Sequence, residues 1–128
     1  AKSDEYADEI AEKFGIKHLY ARHPQSLSEG QKRRVSIAAV VATNPEVLIL
    51  DEPTVGQDYK GLCKMVEVLN RIHEETHNTM ITVTHDKRCA AALCDRSVWI
   101  KDGKTYKTGD KRLIDEFFTN CQDKISLR

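Results

Sequence analysis

Charge of one sign is the first thing this sequence lacks. Twenty lysine and arginine residues face twenty aspartate and glutamate residues, for a formal net charge of zero, so there is no overall positive field to draw the chain onto nucleic-acid phosphates. No apolar run approaches the roughly 18 residues needed to cross a bilayer. The charged stretch after Ala1 does not resemble a basic and then apolar leader, so no secretory signal is expected and the chain reads as cytosolic. Cys63, Cys89, Cys94 and Cys121 form neither a C-x-x-C pair nor a dense framework, which predicts reduced, mostly buried thiols. Internal repeats and low-complexity tracts are missing too. So is G-x-x-x-x-G-K-[ST], the glycine-rich loop that cradles nucleotide phosphates in many enzymes.

What is present, in 128 residues, suffices for one domain or a piece of a larger one. Residues 4 to 14 read as a helix: Ser3 can cap it, Asp4 and Glu5 suit its positive end, and Tyr6, Ile10 and Phe14 recur every four residues until Gly15. A second helix starts at Ser28, with Val35, Ala38, Ala39 and Ala42 on one face, and stops at Asn44-Pro45. Within it, Lys32-Arg33-Arg34 reads as a solvated face. Val47 to Leu50 is a continuous apolar run, the signature of a strand covered on both faces of a parallel sheet, and Met80 to Thr84 reads as another buried strand. Between them Leu62, Met65, Val66, Leu69 and Ile72 fall at helical spacing from Asp58 onward, which predicts a strand, helix, strand crossover. A short helix over 86 to 94, a strand over Ser97 to Lys101, a two-residue turn at Asp102-Gly103, a strand over Lys104 to Lys107 and a helix from Asp110 complete the reading.

Three places carry candidate chemistry. Ser28 and Gln31 have the spacing of a capping box, and a helix start also offers amides and a positive dipole end to an anion, with Gly30 allowing close approach. Asp51 and Glu52 end an apolar strand, and ligands of open parallel sheets gather beyond the carboxyl ends of strands. One acid there can serve a magnesium ion and the other a water molecule. His85 ends the next apolar run in a comparable position, suited to phosphate oxygens. His73-Glu74-Glu75-Thr76-His77 spells H-E-x-x-H, a zinc-hydrolase pattern that needs both histidines on one helical face and a third ligand. Here Thr76, His77 and Asn78 are predicted to form the helix end instead, which makes zinc chemistry a remote alternative.

Taken together, Leu27-Ser28-Glu29-Gly30-Gln31 resembles the signature motif of ATP-binding cassette (ABC) ATPases. Val47 to Pro53 resembles their Walker B strand with its catalytic acid, Val55 to Asp58 the D-loop, and Thr84 to Asp86 the switch-histidine loop, in the family's order and separations. The resemblance implies an α/β fold: part of a P-loop NTPase (RecA-like) core with mainly parallel strands flanked by helices, plus the end of the ABC helical subdomain. Residues 1–43 would close that subdomain and hold the signature helix, and 46–128 the Walker B, D-loop and switch-histidine part of the core. It further implies that Asp51 holds Mg2+, Glu52 polarises the attacking water and His85 touches the γ-phosphate. Ser28, Gly30 and Gln31 would meet ATP held by a second ATPase subunit in a head-to-tail dimer, and Asp58 would communicate across it. Transmembrane transporter subunits, and a place on the inner face of the cell membrane, belong to the same implication. Glu29 replaces the commoner glycine, and Gln57 stands where leucine is usual. LSEGQKRR with DEPT-x-GQD is similar to the ATPases of energy-coupling-factor importers of vitamin precursors or metal ions.

Without a phosphate loop, the isolated chain is expected neither to bind ATP tightly nor to hydrolyse it at a useful rate. Exposed apolar surface and an unpaired strand edge are expected as well, favouring self-association. The rival reading is a non-enzymatic split module that lends its signature helix to a complete partner. Soluble translation or DNA-repair ABC proteins are disfavoured by the lack of a basic surface or long heptads.

Overall fold

The computed structural model describes residues 2–126, with side chains described over 4–120. The Ser3 cap and the Cys121 thiol expected from the sequence lie outside the described side chains. The chain forms two compact units, Ala1–Val83 and Thr84–Arg128.

In the first unit, α1 (Lys2–Lys13) carries Asp4 and Glu5 in its first turn and is followed by Gly15 at φ 63. Its apolar stripe buries Ile10, Ala11 and Phe14. Lys13 pairs with Glu9 along the helix and reaches Glu75 near the end of a later helix. Burial works against the Lys13 ammonium, but the two carboxylates outweigh it and hold its pKa above the ordinary value. Two single turns of 3-10 helix, Lys17–Leu19 and Pro24–Ser26, cross to α2 (Glu29–Val41). That helix buries Gly30, Ile37, Ala38 and Val41, whereas Ala39 is exposed and Val35 and Ala42 are half-buried. Of the expected inner residues only Ala38 is fully buried: the larger Ile37 and Val41 remove more apolar area from water and set the helix's rotation.

Strand β1 (Val47–Asp51) runs parallel to β2 (Thr79–Val83), with Val47 opposite Thr79 and Asp51 opposite Val83. The expectation of two covered faces is corrected by the burial pattern. Leu48 and Leu50 are 1% and 4% exposed, while Val47 and Ile49 are 53% and 66% exposed. Ile81 and Val83 share that bare side of the pleat, at 48% and 55%. Among the described residues each strand has a single neighbour, so the bare apolar face and open strand edges expected from the sequence are both present. A charge at the centre of that face should oppose self-association. Light scattering of Ile49→Lys is expected to give a smaller particle than the unaltered chain at equal concentration, and equal masses would acquit this face.

The connection between the strands is α3 (Tyr59–Thr76), which buries Leu62, Met65, Val68, Leu69 and Ile72. Val66, expected inside, is only half-buried and Val68 takes its place. Helical spacing admits both, and packing chose one.

The second unit contains α4 (Lys87–Leu93), strands β3 (Ser97–Lys101) and β4 (Lys104–Gly109), and α5 (Lys111–Ser126). The two strands form an antiparallel hairpin with an irregularity at Trp99/Ile100. Its turn uses Asp102 and Gly103 at φ 51 and 71, the left-handed pair that suits the twist of a two-residue hairpin. Trp99 stacks edge-on against Tyr106 and Phe117, at 4.9 and 5.1 Å between ring centres, and Leu113 and Ile114 of α5 are buried. Lys87 of α4 pairs with Asp115 of α5 at 2.8 Å. Among the described residues strand pairing is thus one parallel pair and one antiparallel pair, the latter the hairpin expected at Asp102-Gly103. Of the cysteines with described side chains, only Cys89 is fully buried, while Cys63 is exposed and Cys94 half-buried.

Candidate functional site

The start of α2 is built by its own sequence. Ser28 Oγ accepts from the Gln31 amide at 3.2 Å, and Gln31 Oε1 accepts from the Ser28 amide at 2.9 Å. This is a complete capping box, and it leaves Ser28 itself exposed. The Gln31 side chain is thereby committed to shaping the helix start. Lys32 bonds Glu29 at 2.9 Å and holds that carboxyl below its usual range.

Gly30 has a different setting from the one its sequence context suggested. It is buried, and a Cβ placed on it would lie 2.7 Å from the Gly56 carbonyl oxygen and 3.1 Å from Gln57 Nε2. The room a glycine gives here is filled by the chain's own loop.

That loop follows β1 directly. Asp51, exposed, is the last residue of the strand, on the same side of the pleat as Val47 and Ile49. Glu52, half-buried, adopts φ 47, and its amide donates to the Val83 carbonyl at 2.8 Å. A non-glycine residue in the left-handed region costs on the order of 1 kcal/mol or more and is concentrated at functional sites. Pro53 and Thr54 are buried beneath the turn, and the amides of Val55 and Gln57 close it by bonding the carbonyls of Glu52 and Thr54, both at 3.2 Å. Asp58 then caps α3, its Oδ1 accepting from the Gly61 amide at 2.7 Å. A groove of about 180 Å³ is lined by Arg33, Ile37, Val40, Leu48, Leu50 and Asp51.

The structure therefore brings together two segments that the sequence shows as separate motifs, the helix start at Ser28–Gly30 and the loop at Gly56–Asp58. Asp51 and Glu52 sit at the carboxyl edge of the same unit's sheet. His85 belongs to the second unit, where it is exposed and directly precedes Asp86. Asp86 caps α4 through the amides of Arg88 and Cys89. The Arg88 guanidinium, more than burial opposes it, keeps the Asp86 carboxyl below its usual range.

Two further outcomes concern residues outside the motifs. Arg34 is not part of a solvated face: it is half-buried, and its Nη1 donates to Gln57 Oε1 at 2.8 Å. Its one signal in the sequence was the unusual Gln57. In H-E-x-x-H, α3 ends at Thr76, and His77 caps it in the left-handed region at φ 54, while His73 Nδ1 lies 2.8 Å from the Asn78 carbonyl oxygen. The second histidine has left the helical path, so the two do not share a helical face as that motif requires.

Comparison with known proteins agrees with this arrangement. A family model described as ABC transporter matches residues 2–55. An ABC transporter ATP-binding protein of Methanopyrus kandleri is 48% identical over 105 residues, covering 82% of this chain and 39% of that protein. An energy-coupling factor transporter ATP-binding protein of Enterococcus faecalis is 42% identical over 112 residues, covering 84% and 39%. Among solved structures, cbiO1 of Clostridium perfringens, described as part of an ABC transporter complex, superposes with a TM-score of 0.73 at 35% identity, over 98% of this chain and 49% of that one. An ATP-binding cassette solved as a dimer bound to ADP and Pi gives 0.76 at 33% identity, over 84% and 47%. The chain thus spans less than half the length of each of these proteins.

Proposed function

The chain belongs to the ATP-binding cassette (ABC) ATPase family, and we propose that it is the C-terminal part of the subunit that hydrolyses ATP for an ABC transporter. In this reading residues 1–43 close the helical subdomain and 46–128 form the Walker B, D-loop and switch-histidine part of the catalytic core. The observation that carries it is the acid pair: Asp51 and Glu52 end a parallel strand, and the turn they form is pinned by the Glu52 amide to the last residue of β2.

Magnesium takes one or two protein carboxylates and fills its remaining positions with water and phosphate oxygens, so the exposed Asp51 carboxylate suits it. When bound, the ion neutralises charge on the transferring phosphoryl group. Glu52 orients the attacking water and accepts its proton. His85, exposed, donates to γ-phosphate oxygens. At the start of α2, the Ser28 hydroxyl accepts from the Gln31 amide through its oxygen and keeps its proton for a phosphate. The amides of Glu29 and Gly30 are the backbone donors there, and Gln31 holds them in place. Asp58 keeps its loop in position at the same edge. These donors face ATP held by a second ATPase subunit, head to tail. The relatives, an energy-coupling factor transporter ATP-binding protein and a part of an ABC transporter complex, support transporter subunits as further partners, and the same proposal extends to transmembrane subunits, residence on the inner face of the membrane and import of a vitamin precursor or metal ion. The balanced net charge gives no support to a nucleic-acid partner.

The test is complementation. The purified chain alone is expected to show no MgATP turnover above background, and co-expression with an upstream half carrying a phosphate loop is expected to restore it. Turnover by the chain alone would refute the expected inactivity. No turnover in any pairing would favour the non-enzymatic module.

A further inference from the structure

One side chain fastens the loop between β1 and α3 to the first turn of α2. Gln57 Nε2 donates to the Gly30 carbonyl at 2.8 Å, across 27 positions of sequence, and Gln57 Oε1 accepts from Arg34 Nη1 at 2.8 Å. Both ends of the carboxamide are used. Leucine could fill the space but make neither bond, and glutamate could accept from Arg34 but not donate to Gly30. The backbones meet closely at the same point, since a Cβ on Gly56 would lie 3.5 Å from the Gly30 amide nitrogen. Arg34 Nε is already buried without a partner, which makes Gln57 Oε1 a costly acceptor for that guanidinium to lose. The loop's own two turn-closing bonds, at 3.2 Å, are long.

We propose that Gln57 is a positioning residue, acting through Gly30 and Arg34, that locks the loop carrying Asp58 to the capped end of α2. The two segments then meet a neighbouring subunit's nucleotide as a single rigid edge. This use of the clip rests on the reading under Proposed function, whereas the clip itself does not.

Hydrogen exchange on the isolated chain tests the clip. In Gln57→Leu the amides of Val55 and of residue 57 are expected to exchange on the order of tenfold faster, while those of Ile49 and Leu69 keep their rates. The double variant Gln57→Leu/Arg34→Met should exchange no faster than Gln57→Leu, because both changes remove one shared interaction. Unaltered exchange at Val55 and residue 57 would overturn the proposal. In the ATPase formed with an upstream half, Gln57→Leu is expected to lower kcat on the order of tenfold with KM for MgATP unchanged, and Gln57→Glu, which keeps the Arg34 contact, to recover part of it. Faster exchange with unaltered kcat would overturn the positioning role. If the wild-type pairing shows no turnover at all, the ATPase reading and the positioning role built on it fall together, and the exchange result still decides whether the clip exists.

Discussion

Glu52→Gln, introduced into the ATPase formed with an upstream half, is expected to reduce turnover about 10²- to 10⁴-fold, the range typical for loss of a general base. Glutamine keeps the size and the backbone demands of the site while removing the charge that accepts a proton, so nucleotide affinity should change little and the fall should appear in kcat. The conformation of the residue argues the same way. At φ 47 the backbone alone would favour glycine over glutamate, so the acid stands there at a conformational cost. Steady-state ATPase measurements beside equilibrium nucleotide binding decide the point, and an unchanged kcat would remove Glu52 from the mechanism.

Gly30→Ala is expected to destabilise the chain by about 1–3 kcal/mol, the usual cost of forcing atoms into a filled space. The added Cβ would stand 2.7 Å from a backbone oxygen, that of Gly56, which cannot swing aside as the end of a flexible side chain would. Retreat of the Gly56 loop would strain the turn bonds at Val55 and Gln57 and the bond from Gln57 to Gly30. Urea unfolding measures the loss, with Ser36→Ala as a control at an exposed position of the same helix, expected within about 0.5 kcal/mol of wild type. A Gly30→Ala variant as stable as that control would show that the two segments separate at no cost, and would weaken the case for the Gln57 clip with it.

Much of the local structure was legible because it is coded by residues close in sequence. Ser28 and Gln31 satisfy each other within one turn, Gly15 and Asp102-Gly103 supply the positive φ that their turns require, and Asp58 and Asp86 cap the helices that follow them. The strands were located well but their surroundings were not. An apolar run such as Val47 to Leu50 states what a strand could bury, and only the assembled chain shows that Val47 and Ile49 remain bare. Face assignment erred in part for the same reason on α2 and α3: Ala38 and Leu62, Met65, Leu69 and Ile72 are buried as spacing required, but packing selected Ile37 and Val68 over Val35 and Val66.

The order and spacing of LSEGQ, DEP, GQD and THD by themselves carried the family resemblance and the chemistry proposed for these residues, because that proposal depends on which groups end which elements. The tertiary structure alone decided that Gly30 is small for the sake of Gly56, that Arg34 turns inward, and that Gln57 joins helix to loop. Those contacts join positions more than twenty residues apart, and a hydrogen bond or a steric limit of that kind comes into being only when folding closes the intervening chain.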